Sequence, residues 1–189
     1  RTLLGVAIVP GQVPASVTNV AGLEPGAIVA NNYVLGEPVT EGGMATIWSA
    51  TERATGRPVI VKTIHLHLSD NEEVIRRFEQ EADIIAAVRS PHVVELLDRG
   101  VLAGSPFLVL ERLEGEDLEE RLAERRLSVD ECAKLLDQMA LALAPAHAAG
   151  VVHRDLKPGN IYLARTGDGE VVKLLDFGIA KLTSREHNE

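Results

Sequence analysis

The chain has 189 residues, with 19 Lys or Arg against 28 Asp or Glu, a net charge of −9. At 46% hydrophobic and 25% charged residues it has a globular balance, which excludes wholesale disorder and collagen-like or mucin-like classes. The acidic excess argues against coating a nucleic acid, because such binders carry a basic surplus to neutralise phosphates. A single cysteine, Cys132, can close no internal disulfide and build no cysteine zinc site, so a reducing, cytoplasmic setting is expected rather than secretion. No apolar run reaches the roughly 20 residues of a spanning helix, and the opening segment lacks a signal-peptide layout. The chain starts at Arg1 and stops in the polar run 183–189, so both ends read as cut.

Residues 1–30 are rich in Val, Ala, Gly and Pro without a sustained period and read as a linker. Their patch Leu3, Leu4, Val6, Ile8 and Val9 is read as a tail resting on its own domain, the alternative being an added strand on a partner. Three strands are expected at 33–39, 45–51 and 58–64, an antiparallel meander broken at Gly42-Gly43 and Ala54-Thr55-Gly56-Arg57. A helix follows, with Asp70 and Glu73 as its start and Val74, Phe78, Ile85 and Val88 as its apolar stripe. Two further strands are expected at 93–98 and 107–111. A second helix starts at Ser128, where Ser128 and Glu131 form a capping box, with Cys132, Leu135, Leu136, Met139 and Leu143 facing inward and Pro145 bending its last turn. Short strands are expected at 151–152, 161–164 and 171–175. The change near residue 113, from five strands and a helix to a helical, loop-rich part, fits two lobes: a linker at 1–30, a first lobe at 31–113 and a second at 114–189.

Three placements carry chemistry. Glu81 sits on the apolar stripe between Phe78 and Ile85, and Lys62 shares a strand face with Ile60 and Ile64. Each buried charge needs a partner, and pairing Lys62 with Glu81 supplies both; the alternative is that each snorkels to water at an edge. The third is the run His153-Arg154-Asp155-Leu156-Lys157-Pro158-Gly159-Asn160, flanked by apolar pieces and followed sixteen residues later by Asp176-Phe177-Gly178. Asp155 suits a base, Lys157 a charge stabiliser, and Asn160 with Asp176 hard oxygen ligands for Mg²⁺. Such a set suits phosphoryl transfer.

Over about Asn31 to Lys181 these motifs, in this order, resemble the bacterial eukaryotic-like (Hanks-type) serine/threonine protein kinases, cut off after Asp176-Phe177-Gly178. The resemblance implies an α+β, two-lobe kinase fold, with a complete first lobe of five antiparallel strands and one helix and an incomplete helical second lobe. It implies ATP and Mg²⁺ as cofactors and a protein Ser/Thr hydroxyl as acceptor, and it leaves open a kinase dimer. Lys62 would hold the α/β-phosphates and be held by Glu81; Asp155 would accept the hydroxyl proton; Lys157 would steady the transferring group; Asn160 and Asp176 would bind the metal. Arg154 resembles the arginine of kinases whose activation loop is ordered by phosphorylation. Gly42, Gly43, Ile47, Ile60, Leu110, Glu111, Leu113, Asp117 and Tyr162 would line the nucleotide: loop, roof, hinge, ribose and floor.

The phosphate-covering loop departs from the family's Gly-x-Gly-x-x-Gly, reading Thr40-Glu41-Gly42-Gly43-Met44-Ala45. If the first position needs positive φ, Thr40 costs about 1–2 kcal/mol there. Ile60 stands where a small Ala is usual and narrows the pocket. The segment after Asp176-Phe177-Gly178 is short, so the isolated chain is expected to keep nucleotide-contacting groups but show little or no activity. Two other readings remain: a nucleotide-binding pseudokinase or scaffold, motivated by Thr40, Ala45 and Ile60, and a small-molecule phosphotransferase. His65 and His67 read as a solvated loop pair rather than a metal site, Cys132 as packing, and Thr183 and Ser184 as unmodified tail residues. The acidic run from Glu111 to Glu120 reads as a solvated helix start.

Overall fold

The computed structural model describes residues 23–102 and 104–176. Within them the chain forms two compact units, one of residues 23–82 and 96–112, the other of 83–95 and 113–176. The stretches 1–22 and 177–189, holding the Leu3–Val9 patch, Phe177, Gly178, Thr183 and Ser184, lie outside the described residues.

The first unit is a six-stranded antiparallel sheet in the order β1 (Ile28–Val29), β2 (Tyr33–Glu41), β3 (Ala45–Glu52), β4 (Pro58–Ile64), β6 (Ser105–Glu111), β5 (Leu96–Leu102). The strand expected at 58–64 has those limits, because a near-continuous run of β-branched residues fits a pleated surface buried on both faces. One face carries Tyr33, Leu35, Trp48, Val59, Val61, Phe107 and Val109 in one core. Trp48 is 1% exposed, and its indole N–H donates to Thr63 Oγ1 at 3.1 Å. The other face offers Ile64 and Leu108 to Phe78 and Ala82 of helix α1 (Glu72–Ala87).

Several expectations change here. The segment 1–30 is not linker throughout: Leu23 and Val29 are in the first core, and Ile28–Val29 pairs with Val34 and Tyr33, giving a sixth strand. The helix is started by Asn71, whose Oδ1 accepts from the N–H groups of Glu73 and Val74, rather than by Asp70. The strand expected at 93–98 runs instead from Leu96 to Leu102, because Val93 bridges to Leu174 in the second unit.

The second unit contains α2 (Leu118–Glu124), α3 (Val129–Ala148) and a three-stranded sheet of β7 (Gly115–Asp117), β8 (Ile161–Thr166) and β9 (Gly169–Leu174). The capping box of Ser128 and Glu131 is formed as expected. The helix runs through Pro145 to Ala148. Proline has no N–H for the carbonyl four residues back, and the Ser90 hydroxyl donates to that orphan, Leu141 O, at 3.4 Å. The inward face of α3 agrees with the expected one at Leu135, Met139 and Leu143, which are half-buried, and departs from it elsewhere. Ala142 and Ala146 are buried, while Cys132 is exposed and Leu136 is 63% exposed. Leu and Ala lie on several sides of this helix, so periodicity alone selects its face only in part. Val151-Val152 is not a strand; Val151 is buried and Val152 exposed.

Gly115 opens β7 opposite Ala164 of β8 at φ +148°, and a Cβ there would sit 2.1 Å from the Leu163 carbonyl oxygen. Gly115→Ala must push the two strands apart, and thermal denaturation should show a loss of at least about 2 kcal/mol.

Candidate active-site residues

Lys62 and Glu81 meet in the first unit. The β4 pleat puts Lys62 on the face that α1 covers, and Phe78 packing on Ile64 and Leu108 sets α1 at the depth where Glu81 reaches it. The Lys62 Nζ donates to both Glu81 oxygens, at 2.7 and 2.9 Å, and lies 5.9 Å from the Phe78 ring centroid. Side-chain exposures of 15% and 14% make this a largely buried pair rather than a snorkelling one.

The strand register carries the face outward from Lys62. Ile47 is paired with Lys62 on one side and with Thr40 on the other. Register shifts around Pro38 precede Thr40, and the Thr40 backbone is not among those with positive φ, so the strain expected there does not arise. Its Oγ1, however, is buried with no hydrogen-bond partner. Such an atom costs about 1–3 kcal/mol. Gly42 and Gly43 are exposed, with the Gly42 N–H donating to Ala45 O. Ile60 and Leu110 are buried opposite one another and Glu111 is half-buried. His65 accepts or donates at Thr46 Oγ1 and packs on His67, and burial first, then His67, lowers its pKa.

In the second unit the loop 153–160 is tied to the end of β9. The Leu175 N–H donates to Asn160 O, and His153 Nε2 is 3.1 Å from Leu175 O. The Asp155 N–H lies 3.4 Å from His153 Nδ1, which makes Nδ1 the acceptor and Nε2–H the donor. Burial holds the His153 pKa below its ordinary value, so the ring is the neutral tautomer those contacts require. Arg154 turns the chain at φ 62°. Asn160, closing the turn Pro158–Asn160, sends its Nδ2 to Asp155 O at 2.8 Å and to Asp155 Oδ2 at 3.0 Å. Lys157 Nζ reaches Asp155 Oδ2 at 2.9 Å. The hydrogen bond from Lys157 foremost, and that from Asn160, lower the Asp155 pKa, so the group is a carboxylate throughout the neutral range.

With its amide nitrogen spent on Asp155, Asn160 keeps its carbonyl oxygen as the ligating end. Among the described residues no cluster of three or more His, Cys, Asp or Glu could hold a metal. A cation at Asn160 and Asp176 would need its remaining oxygens from phosphates and water, a donor set that fits Mg²⁺. Asp176 is exposed at φ 42°.

Leu113 and Tyr162 are buried, and burial first pushes the Tyr162 hydroxyl up to about 12. Asp117, expected near the ribose, has a structural task in the fold. It is 3% exposed and caps α2, its Oδ1 accepting from the Glu120 N–H at 2.8 Å. The run 111–120 is therefore not wholly solvated. Sequence reasoning missed the Thr40 hydroxyl, having weighed that position only for backbone strain, and the clamp of His153 on Leu175, which joins residues 22 apart.

Two measurements check this geometry. In a double-mutant cycle with Lys62→Met and Glu81→Leu, each single change should lower stability by about 2–3 kcal/mol and the double change by less than their sum. A histidine with a depressed folded pKa contributes stability that is full above its unfolded pKa of about 6.5 and is lost as pH falls. Unfolding midpoints should thus fall as pH drops from 7 to 5.5, and His153→Gln should remove part of that fall.

Comparison with known proteins follows the same lines. Residues 33–189 match the protein kinase domain family. A Bifidobacterium longum protein named as a probable serine/threonine-protein kinase, pknA2, is 37% identical over 166 residues, 86% of this chain and 22% of that protein. The Mycobacterium tuberculosis serine/threonine-protein kinase PknA is 38% identical over 162 residues, 82% of this chain and 37% of that one. The chain thus spans a minor part of the curated relatives' length. The crystal structure of the M. tuberculosis PknI kinase domain, a double mutant, superposes with a TM-score of 0.69 at 26% identity, covering 85% of this chain and 63% of that one. With its first lobe of sheet and helix and its partial helical second lobe, the chain belongs to the protein kinase domain family and is similar to the bacterial serine/threonine kinases.

Proposed function

We propose that this chain is the nucleotide-binding and catalytic-loop portion of an ATP- and Mg²⁺-dependent protein serine/threonine kinase. In this reading 31–113 is the nucleotide lobe, 114–189 carries the catalytic loop, and the setting is cytoplasmic, in keeping with the acidic balance and single cysteine. The observation that carries it is the Asp155 carboxylate, exposed to a reactant yet fixed by Asn160 and Lys157. The names of its relatives support serine and threonine as acceptors.

Bound ATP·Mg²⁺ supplies the phosphoryl group and the charge neutralisation that transfer requires. Lys62, oriented by Glu81, grips the α/β-phosphates. Asp155 accepts a hydrogen bond from the substrate hydroxyl and so aims its oxygen at phosphorus. Its depressed pKa makes it a weak base toward a resting hydroxyl, so the proton reaches the carboxylate late, once the new P–O bond has acidified it. Lys157 sits beside that oxygen and steadies the transferring group. Asn160 has two roles through two atoms: its nitrogen orients Asp155, and its oxygen would help hold the metal.

The test is transfer of labelled γ-phosphate to a basic protein substrate by the protein that carries this segment. Asp155→Asn should lower the rate by about 10²–10⁴-fold while leaving ATP binding within twofold. Transfer unchanged in that variant would sink the reading.

A further inference from the structure

Several other hydroxyls of the described residues have partners. Thr46 meets His65, Thr63 meets Trp48, Thr55 meets Glu52 and Thr166 meets the Gly169 carbonyl. Among those residues Thr40 Oγ1 is the buried side-chain polar atom that has none. Native proteins satisfy the large majority of their buried side-chain polar atoms, so an orphan points to a partner that the chain itself does not supply.

Register narrows what that partner is. Directly paired residues on neighbouring strands point to the same sheet face. Thr40, Ile47 and Lys62 are paired in succession across β2, β3 and β4, and therefore form one row on one face. At about 4.8 Å per strand, the Thr40 backbone lies roughly 10 Å from that of Lys62, within the span of one di- or triphosphate. Beyond Thr40 the chain turns through Gly42 and Gly43, which carry no side chain to obstruct an approaching ligand. The row thus presents a hydroxyl, an apolar side chain and an ammonium. Valine would fill the Thr40 site with the same branching and no unsatisfied atom, so the hydroxyl is the feature that needs explaining.

We propose that the Thr40 hydroxyl donates a hydrogen bond to a phosphate oxygen of the nucleotide held by Lys62, a contact made by a side chain where related loops have glycine. The inference rests on the nucleotide-binding reading above. A phosphate oxygen is the favoured acceptor because it is anionic and acceptor-only, and because the neighbouring charge in the row is the cationic Lys62. Binding then replaces an unsatisfied hydroxyl with a charge-assisted bond. Ile47 between the two polar groups keeps them apart, so each addresses a different part of the phosphate chain.

Calorimetric titration of the 189-residue chain with ATP·Mg²⁺ and with adenosine tests this, using Thr40→Val and Thr40→Ser beside the wild type. Thr40→Val should melt at the wild-type temperature or above, bind ATP·Mg²⁺ about tenfold more weakly, and bind adenosine as the wild type does. Thr40→Ser, which keeps the hydroxyl, should stay within about threefold of the wild type for ATP·Mg²⁺. The inference is overturned if Thr40→Val binds ATP·Mg²⁺ like the wild type, if it weakens ATP and adenosine equally, or if Thr40→Ser loses as much as Thr40→Val. A wild-type chain that binds no ATP·Mg²⁺ would overturn the nucleotide reading itself, and this contact with it.

Discussion

An ammonium on a sheet face must be paired or solvated, and in this chain it is paired. The Lys62–Glu81 bond dictates much of the first unit. It requires α1 to lie across β4 at one depth and one rotation, which Phe78 and Ala82 fix by packing on Ile64 and Leu108. Such a pair contributes modestly to net stability, because desolvation offsets much of the attraction. Its effect is on specificity: a helix slipped by one residue would turn Glu81 off the sheet-facing side and leave Lys62 buried and unmatched.

The second unit reaches a similar end with hydrogen bonds. His153, Asp155, Asn160 and Leu175 lie within 23 residues of sequence, and most of the bonds among them join a side chain to backbone, with Asn160 to the Asp155 carboxylate the side chain to side chain exception. A neutral imidazole joins the loop to the end of β9, while the ionised group, Asp155, remains at the surface. Burial thus falls on a group that tolerates it, and the ionised carboxylate keeps its solvation.

Much of this was legible from residue pattern. Lys62 and Glu81 broke otherwise apolar stripes, and a misplaced charge is among the strongest signals a sequence offers. Ser128 and Glu131 announced a helix start because capping chemistry is local. What escaped was non-local or symmetric. Ile28–Val29 is too short to show alternation and becomes a strand only through Tyr33 and Val34. Val93 reads as strand but bridges to Leu174, a residue 81 positions away. In the helix α3, with Leu and Ala on several sides, the pattern picked out Leu135, Met139 and Leu143 but not Ala142 and Ala146. Asp117 looked like a ligand contact because acidic residues serve both ligands and helix caps, and composition does not separate the two.

The chain contains one tryptophan, Trp48, sealed in the sheet core of the first unit. Its fluorescence is therefore a private channel. Indole emission follows the melting of that unit alone, whereas the helical circular dichroism signal sums α1 with α2 and α3 and is weighted toward the second unit. Recorded on one sample, the two signals tell whether the units unfold as a single cooperative system or in sequence, without any label being introduced.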